Sequence, residues 1–257
     1  MVGSTIRLDG HVTLVTGGTR GIGRGIAEAF LAAGSKVAVC GRNAPEKPIA
    51  SGANQATFYQ ADIRDPEQAF KLVERVVSDH GKLDSLINNA GGSPKADSAT
   101  ASPRFMERIV ALNLMAPIYM MQAANKAMQT QADGGAIVNI ASVSGVRPSP
   151  GTSAYGAAKA GLLHVTTSLA MEWGPKVRVN AIICGLIATE AAGDHYGTEG
   201  GVSRIGQMLP LKRMGTPADI AAACLYLSSP LSVYVSGAHL AVHGGGERPI
   251  FLDLAGD

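Results

Sequence analysis

Eight consecutive residues constrain this chain more than any others: Thr16-Gly17-Gly18-Thr19-Arg20-Gly21-Ile22-Gly23, set between an apolar run and a helical pattern. His11 to Val15 reads as a buried strand, Arg24 to Ala33 as a helix and Lys36 to Cys40 as the next strand, so the eight residues are the turn of a βαβ unit. Glycine lacks a Cβ, which lets such a turn be tight and lets its backbone approach a diphosphate. The amides and the dipole at the helix N-terminus then stabilise the anion. Spaced glycines at 17, 21 and 23 are more than a ligand-free turn needs, and they mark Thr16, Gly17, Thr19, Arg20, Gly21, Ile22 and Gly23 as candidate dinucleotide contacts.

The βα alternation continues. Thr57–Gln60 reads as a strand, Pro66–Asp79 as a helix, Ser85–Asn88 as a strand, Pro103–Gln129 as one long helix and Ala136–Ala141 as a strand. A helix over Tyr155–Trp173, a strand over Val177–Ile182, a helix over Pro217–Leu227 and a strand over Ala238–Val242 complete the pattern. Strands alternating with helices build a parallel sheet covered on both faces. The expected fold is therefore a single α/β domain over residues 1–257, a Rossmann-type doubly wound sheet of about seven strands. Residues 185–214 lack a strong period, and the segment 186–214 reads as a mobile lid or short helices over a site.

Composition narrows the function. At 46% hydrophobic content the chain can bury one full core. With 16% charged residues and a net charge of +2 it has no broad electrostatic footprint for nucleic acid. Cys40, Cys184 and Cys224 are far apart and odd in number, which suits a reducing cytoplasm and argues against a structural metal. No signal-peptide pattern and no apolar run near the roughly 20 residues of a membrane span are read, so a cytoplasmic protein is expected.

Cofactor choice is read at the end of the second strand, Cys40-Gly41-Arg42-Asn43. A carboxylate here would hold ribose hydroxyls. None is present, and Arg42 offers a planar fork of donors for a 2′-phosphate, assisted by Arg20. The expected cofactor is NADP(H) rather than NAD(H).

Tyr155 and Lys159 are four residues apart and share one helix face, with Ser142 just past the Ala136–Ala141 strand. A phenol of pKa about 10 is a poor acid or base at neutral pH, and a neighbouring ammonium stabilises its phenolate. Ser142 is placed to hydrogen-bond a substrate oxygen. Taken alone, a Tyr and a Lys on an amphipathic helix are unremarkable, and it is the other motifs that lend the pair weight.

The glycine loop, Ser142, Tyr155 and Lys159 together resemble the short-chain dehydrogenase/reductase superfamily. Thr16–Gly23 matches its TGxxxGxG motif, Asn88-Asn89-Ala90-Gly91 its NNAG motif, and Ser142 precedes Tyr155 by the usual gap. The resemblance covers nearly the whole chain. It implies Tyr155 as general acid in reduction or base in oxidation, Lys159 as ribose anchor and modifier of the tyrosine, Ser142 as stabiliser of the substrate oxygen and Asn113 as a member of a proton relay. It also implies cofactor contacts at Asp62, near the adenine, and at Ile63, Asn89, Ala90, Gly91, Gly185 and Ile187, with Thr189 at the nicotinamide carboxamide. A homotetramer is implied, built from the two long helices and the C-terminal strand.

Two positions depart from the family pattern: Cys184-Gly185 replaces a frequent Pro-Gly, and His243 stands where an acid is common. Cys184 reads as inert packing, since the sequence places no positive neighbour beside it. His243 reads as a surface or interface residue and His164 and His195 as structural, with substrate contact the alternative for His195 in the lid.

The expected reaction moves a hydride between the nicotinamide and a carbonyl carbon, in the reducing direction with NADP(H). A 3-oxoacyl thioester is one substrate class, with steroid, polyol and xenobiotic carbonyls open. Leu186, Ile187, Met208, Leu209 and Leu211 suggest a moderately apolar pocket. The rival readings are a dinucleotide-binding regulatory or scaffold protein, an NAD-dependent alcohol dehydrogenase, and an epimerase or dehydratase on the same fold.

Overall fold

The computed structural model describes residues 6–190, 199–247 and 249. The first unit is β1 (Val12–Thr16), buried throughout, then α1 (Gly21–Ala32) and β2 (Lys36–Gly41). A small antiparallel ribbon of β3 (Ala50–Ser51) and β4 (Asn54–Gln55), which the sequence patterns did not suggest, precedes β5 (Thr57–Gln60). The chain continues through α2 (Pro66–His80), β6 (Ser85–Asn88), α3 (Pro103–Val110), α4 (Ala116–Met128), β7 (Gly135–Ser142) and α5 (Ser153–Trp173). It ends with β8 (Val177–Cys184), α6 (Glu199–Met208), α7 (Pro217–Ser228) and β9 (His239–Val242).

Seven strands form one parallel sheet in the order β5-β2-β1-β6-β7-β8-β9. The strand order reverses at β1, which pairs with both β2 and β6, so the ends of β1 and β6 open the crevice where ligands bind in such sheets. Alternate residues feed two cores. Leu14, Leu86 and Ile137 pack with Leu72, Met120 and Leu162 of α2, α4 and α5, whereas Val15, Ile87 and Val138 pack with Ile26, Phe30 and Cys224 of α1 and α7. Helices therefore cover both faces, as the βα alternation predicts.

Three differences from the sequence reading bear on the site. α1 starts at Gly21 rather than Arg24, so the glycine loop itself forms the first helical turn. β7 and β8 run on to Ser142 and Cys184, which pair in register, so Ser142 is the last strand residue and not the first after it. The long helix expected over Pro103–Gln129 is broken by a π turn at Ala111–Met115. Pro117 has no N–H to give to the carbonyl of Asn113, and Asn113 Nδ2 takes the Ile109 carbonyl at 2.9 Å, so the ladder widens and Ala116 N–H reaches back to Ala111.

The stretch expected to be lid or short helices contains α6, followed by a turn in which Lys212 has a positive φ of 56°. Ile187 bridges to Gly215, and Arg213 grips Asp219 at the start of α7 through two bonds of 2.7 and 2.8 Å. Among the described residues no helix is long and apolar enough to cross a membrane.

Candidate active site

The glycine loop is built by close packing. A Cβ on Gly18 would lie 2.7 Å from Val39 Cγ1, and one on Gly17, whose φ is +63°, would meet Ala90 Cα at 3.0 Å. Thr16 Oγ1 accepts the N–H groups of Asn89 and Ala90 at 3.0 Å, while Asn89 Nδ2 donates to the carbonyls of Thr16 and Gly17 at 3.0 and 3.2 Å. The loop after β1 and the Asn88-Asn89-Ala90-Gly91 loop after β6 are thus one hydrogen-bonded unit at the switch point. Arg20, at the N-cap of α1, has an extended backbone and makes no side-chain cap. Among the described residues the first-turn amides receive no side-chain acceptor there, and they fit an anion such as a diphosphate. Thr189 faces the loop, its Cγ2 3.8 Å from where a Gly21 Cβ would be.

The second cluster lies at the ends of β7 and β8. Lys159 is buried at 3% exposure; its Nζ donates to the Ile140 carbonyl at 2.8 Å and lies 5.7 Å from the centre of the Tyr155 ring. The helical spacing of four delivers the pairing expected of it. A Cβ on Gly91 would sit 2.7 Å from Asn113 Oδ1 and 3.2 Å from Lys159 Nζ, so Gly91, Asn113 and Lys159 converge. Asn113 is fully buried; its carboxamide accepts from Gly92 N–H and donates to the Gly92 carbonyl. Behind it, Asn88 Nδ2 donates to Asn139 Oδ1 and Asn139 Nδ2 to Thr166 Oγ1, both at 2.9 Å.

Ser142 Oγ accepts from Ser144 N–H at 3.2 Å and starts a short 3₁₀ turn, Val143–Gly145. That turn rests on α5 through two glycines. A Cβ on Gly145 would come 2.9 Å from Ala160 N, and one on Gly156 would come 2.8 Å from the Ser144 carbonyl. Gly145 and Gly156 therefore set how closely Ser142 approaches the start of α5, where Tyr155 stands. The sequence reading passed over both glycines, although they flank the serine and tyrosine it singled out.

Burial pulls the Lys159 ammonium down to about 8. The sequence placed no cation beside Cys184, but the fold brings Lys159 within electrostatic reach of it. Burial still dominates and pushes the Cys184 thiol up to about 12, so the thiol stays neutral and inert. His243 is half-buried rather than a plain surface residue, and its Nδ1 has no hydrogen-bond partner among the described residues. Gly185 packs on it, since a Gly185 Cβ would lie 2.6 Å from His243 Cα. His164 is exposed on α5, and His195 lies outside the described residues.

At the far end of the crevice, Arg42 follows the last residue of β2 and is exposed, as is Arg20. Asp62 is held by Arg64, whose Nε donates to Oδ1 at 2.8 Å while its Nη2 pairs with Oδ2. The Arg64 guanidinium, helped by Arg42, holds the Asp62 carboxyl below its usual range. Arg64 was not singled out from the sequence, and the two-residue spacing to Asp62 gave no periodic signal for it. Ile63 is buried. Of the apolar residues expected to line a pocket, Ile187 and Leu209 are buried in the protein interior, Leu186 is half-buried and Leu211 is exposed, while Met208 lines a cavity of about 520 Å³ at the end of α6.

The enoyl-(acyl carrier protein) reductase family model matches residues 17–247. The chain is a short-chain dehydrogenase/reductase. Among relatives of this superfamily, it is 36% identical over 250 residues to an uncharacterised oxidoreductase of Mycobacterium tuberculosis, covering 95% of each. It is 34% identical to the 3-oxoacyl-[acyl-carrier-protein] reductase of Chlamydia muridarum over 243 residues, covering 90% of this chain and 95% of the relative. The aldohexose dehydrogenase of Thermoplasma acidophilum, solved ligand-free, superposes with a TM-score of 0.86 at 30% identity, covering 93% and 94% of the two chains. As a short-chain dehydrogenase/reductase, this protein is an NAD(P)-dependent oxidoreductase.

Proposed function

We propose that this chain is an NADP(H)-dependent reductase that converts a ketone to a secondary alcohol, with Ser142, Tyr155 and Lys159 as its catalytic groups and Asn113 completing the proton path. The observation that carries the reading is the buried Lys159 ammonium set beside the Tyr155 ring, next to the strand end that bears Ser142. When bound, the nicotinamide supplies the hydride.

The chain's own residues do the rest. The Ser142 hydroxyl donates to the substrate oxygen and holds it beside Tyr155. The Tyr155 hydroxyl gives its proton to that oxygen as charge develops on it. The Lys159 ammonium stabilises the phenolate left behind, and it would also hold the ribose of the bound cofactor. Asn113 fixes Gly92 and so positions Gly91 against the same lysine.

The loop residues Thr16, Gly17, Thr19, Arg20, Gly21, Ile22 and Gly23 would cradle the diphosphate. Asp62 and Ile63 would meet the adenine, Asn89, Ala90 and Gly91 the ribose side, and Gly185, Ile187 and Thr189 the nicotinamide. The preference for NADP(H) rests on Arg42 and Arg20, both exposed beside a strand end without a carboxylate. Asp62, within electrostatic reach of Arg42, is occupied by Arg64 and offers little repulsion to a 2′-phosphate.

A 3-oxoacyl thioester fits the likeness to the Chlamydia reductase. Residues 186–214 act as the substrate lid in this reading. A homotetramer is supported by exposed Met171 on α5 and by exposed Leu231, Val233 and Tyr234 just before β9, and a cytoplasmic setting by three free, buried thiols.

Fluorescence titration with NADPH and NADH tests the cofactor. NADPH should bind more tightly, and Arg42→Ala should weaken NADPH by about tenfold or more while leaving NADH unchanged. Tighter binding of NADH would overturn the NADP(H) reading.

A further inference from the structure

The C-terminal ends of β7, β8 and β9 lie in register at Ser142, Cys184 and Val242. Arg147 stands five residues beyond Ser142 and Glu247 five beyond Val242. The two side chains meet over the end of the intervening β8, with Arg147 Nη2 donating to Glu247 Oε1 at 2.6 Å and Nε pairing with Oε2. Arg147 Nη1 also donates to the Pro148 carbonyl at 2.8 Å. This fork is the one a guanidinium makes to any carboxylate.

The place matters as much as the pair. Arg147 is the sole charged residue between Ser142 and Tyr155. Glu247 walls the cavity of about 520 Å³, which is also lined by Gln207 and Met208 of α6 and by Pro210 and Lys212 of the turn after it. That volume falls in the range of small-molecule sites. Arg147 thus follows the candidate oxygen-binding serine by five residues and is paired with a residue of the cavity wall, on the chain segment that follows β9. Both side chains are about a third exposed, at 37% and 33%, so the pair is partly solvated and adds little to stability. Exchanging Glu247 for another carboxylate would disturb the fold little.

We infer that Arg147 is the subsite for a carboxylate carried by the substrate, with Glu247 its internal occupant until the substrate displaces it. The inference rests on the reductase reading above and narrows its ketone to one that carries a free carboxylate, which a 3-oxoacyl thioester lacks.

Steady-state NADPH oxidation tests it, with a panel of C4–C8 oxo-carboxylates and their methyl esters as probes and the wild type compared with Arg147→Met, Arg147→Lys and Glu247→Gln. The readout is the ratio of kcat/KM for acid over ester. The wild type should favour the acids, and Arg147→Met should lower the ratio about ten- to a hundredfold, chiefly through KM. Arg147→Lys should restore part of it, which a misfolded variant could not, and Glu247→Gln should raise it by removing the competing carboxylate. A ratio unchanged in Arg147→Met, or a wild type that favours the esters, would overturn the subsite while leaving the reductase intact. Turnover of neither acids nor esters by protein that binds NADPH would instead overturn the reductase reading.

Discussion

The Asn113 carboxamide clasps Gly92 from both sides, accepting from its N–H and donating to its carbonyl at 2.9 Å each. A π turn in the middle of a long helix is what turns Asn113 toward that loop, and the loop carries Gly91 beside Lys159. Asn113→Ala takes away the side-chain partner of the N–H and carbonyl of Gly92, an exposed residue, and of the buried Ile109 carbonyl. It is expected to lower stability by about 1–3 kcal/mol and to depress turnover further, because the cofactor-side loop loses its anchor. Urea denaturation with steady-state kinetics on the same preparation checks both parts.

The buried asparagine pair behind the site should be equally sensitive. Asn139 accepts from Asn88 and donates to Thr166, and Asn88 Oδ1 already lacks a partner among the described residues. Asn139→Leu should cost about 2–4 kcal/mol through the stranded Asn88 and Thr166 groups, read as a lower denaturation midpoint with an unchanged m-value.

Gly156→Ala separates packing from chemistry. The added Cβ would sit 2.8 Å from the Ser144 carbonyl, so the 3₁₀ turn must shift, and Ser142 with it. The expected result is a loss of kcat of about tenfold or more with little change in NADPH affinity, since the glycine loop is on the far side of the crevice.

The titration of Lys159 has a defined sign. Its folded value of about 8 lies below the unperturbed 10.5, so between those pH values the unfolded chain binds more protons than the folded one. Stability of the cofactor-free protein therefore gains from Lys159 as pH rises from 8 toward 10.5, by at most about 3 kcal/mol. The three buried thiols act oppositely. Their folded values are raised, Cys40 and Cys184 to about 12, so they lose stability as pH climbs past the ordinary thiol range. Comparing wild type with Lys159→Met isolates the lysine: the wild type should improve relative to the variant between pH 7.5 and 10, measured by chemical denaturation.

The parts of this fold that were legible in the sequence are those fixed by local pattern. Thr57–Gln60 and Ser85–Asn88 coincide with their strands because each is a short apolar or β-branched run bounded by polar residues. Tyr155 and Lys159 could be paired because helical geometry alone determines their spacing. What escaped depends on contacts distant in sequence. The π turn at Asn113 arises from Pro117 together with a loop twenty-one residues away, and Arg147 meets Glu247 across a separation of one hundred residues. The ribbon of β3 and β4 has two residues a side, too few to show a period. Cys184 looked isolated because it ends β8, whereas Lys159, its cationic neighbour, comes from α5, twenty-five residues earlier in the chain.

Whether Tyr155 is the proton donor is decided by NADPH oxidation with a ketone substrate by wild type and Tyr155→Phe, with NADPH affinity measured on both proteins by ligand fluorescence. Affinity should be unchanged and kcat should fall about a hundred- to ten-thousandfold in the variant, because Phe keeps the ring beside Lys159 and removes the proton donor. A variant that turns over at the wild-type rate would contradict that role.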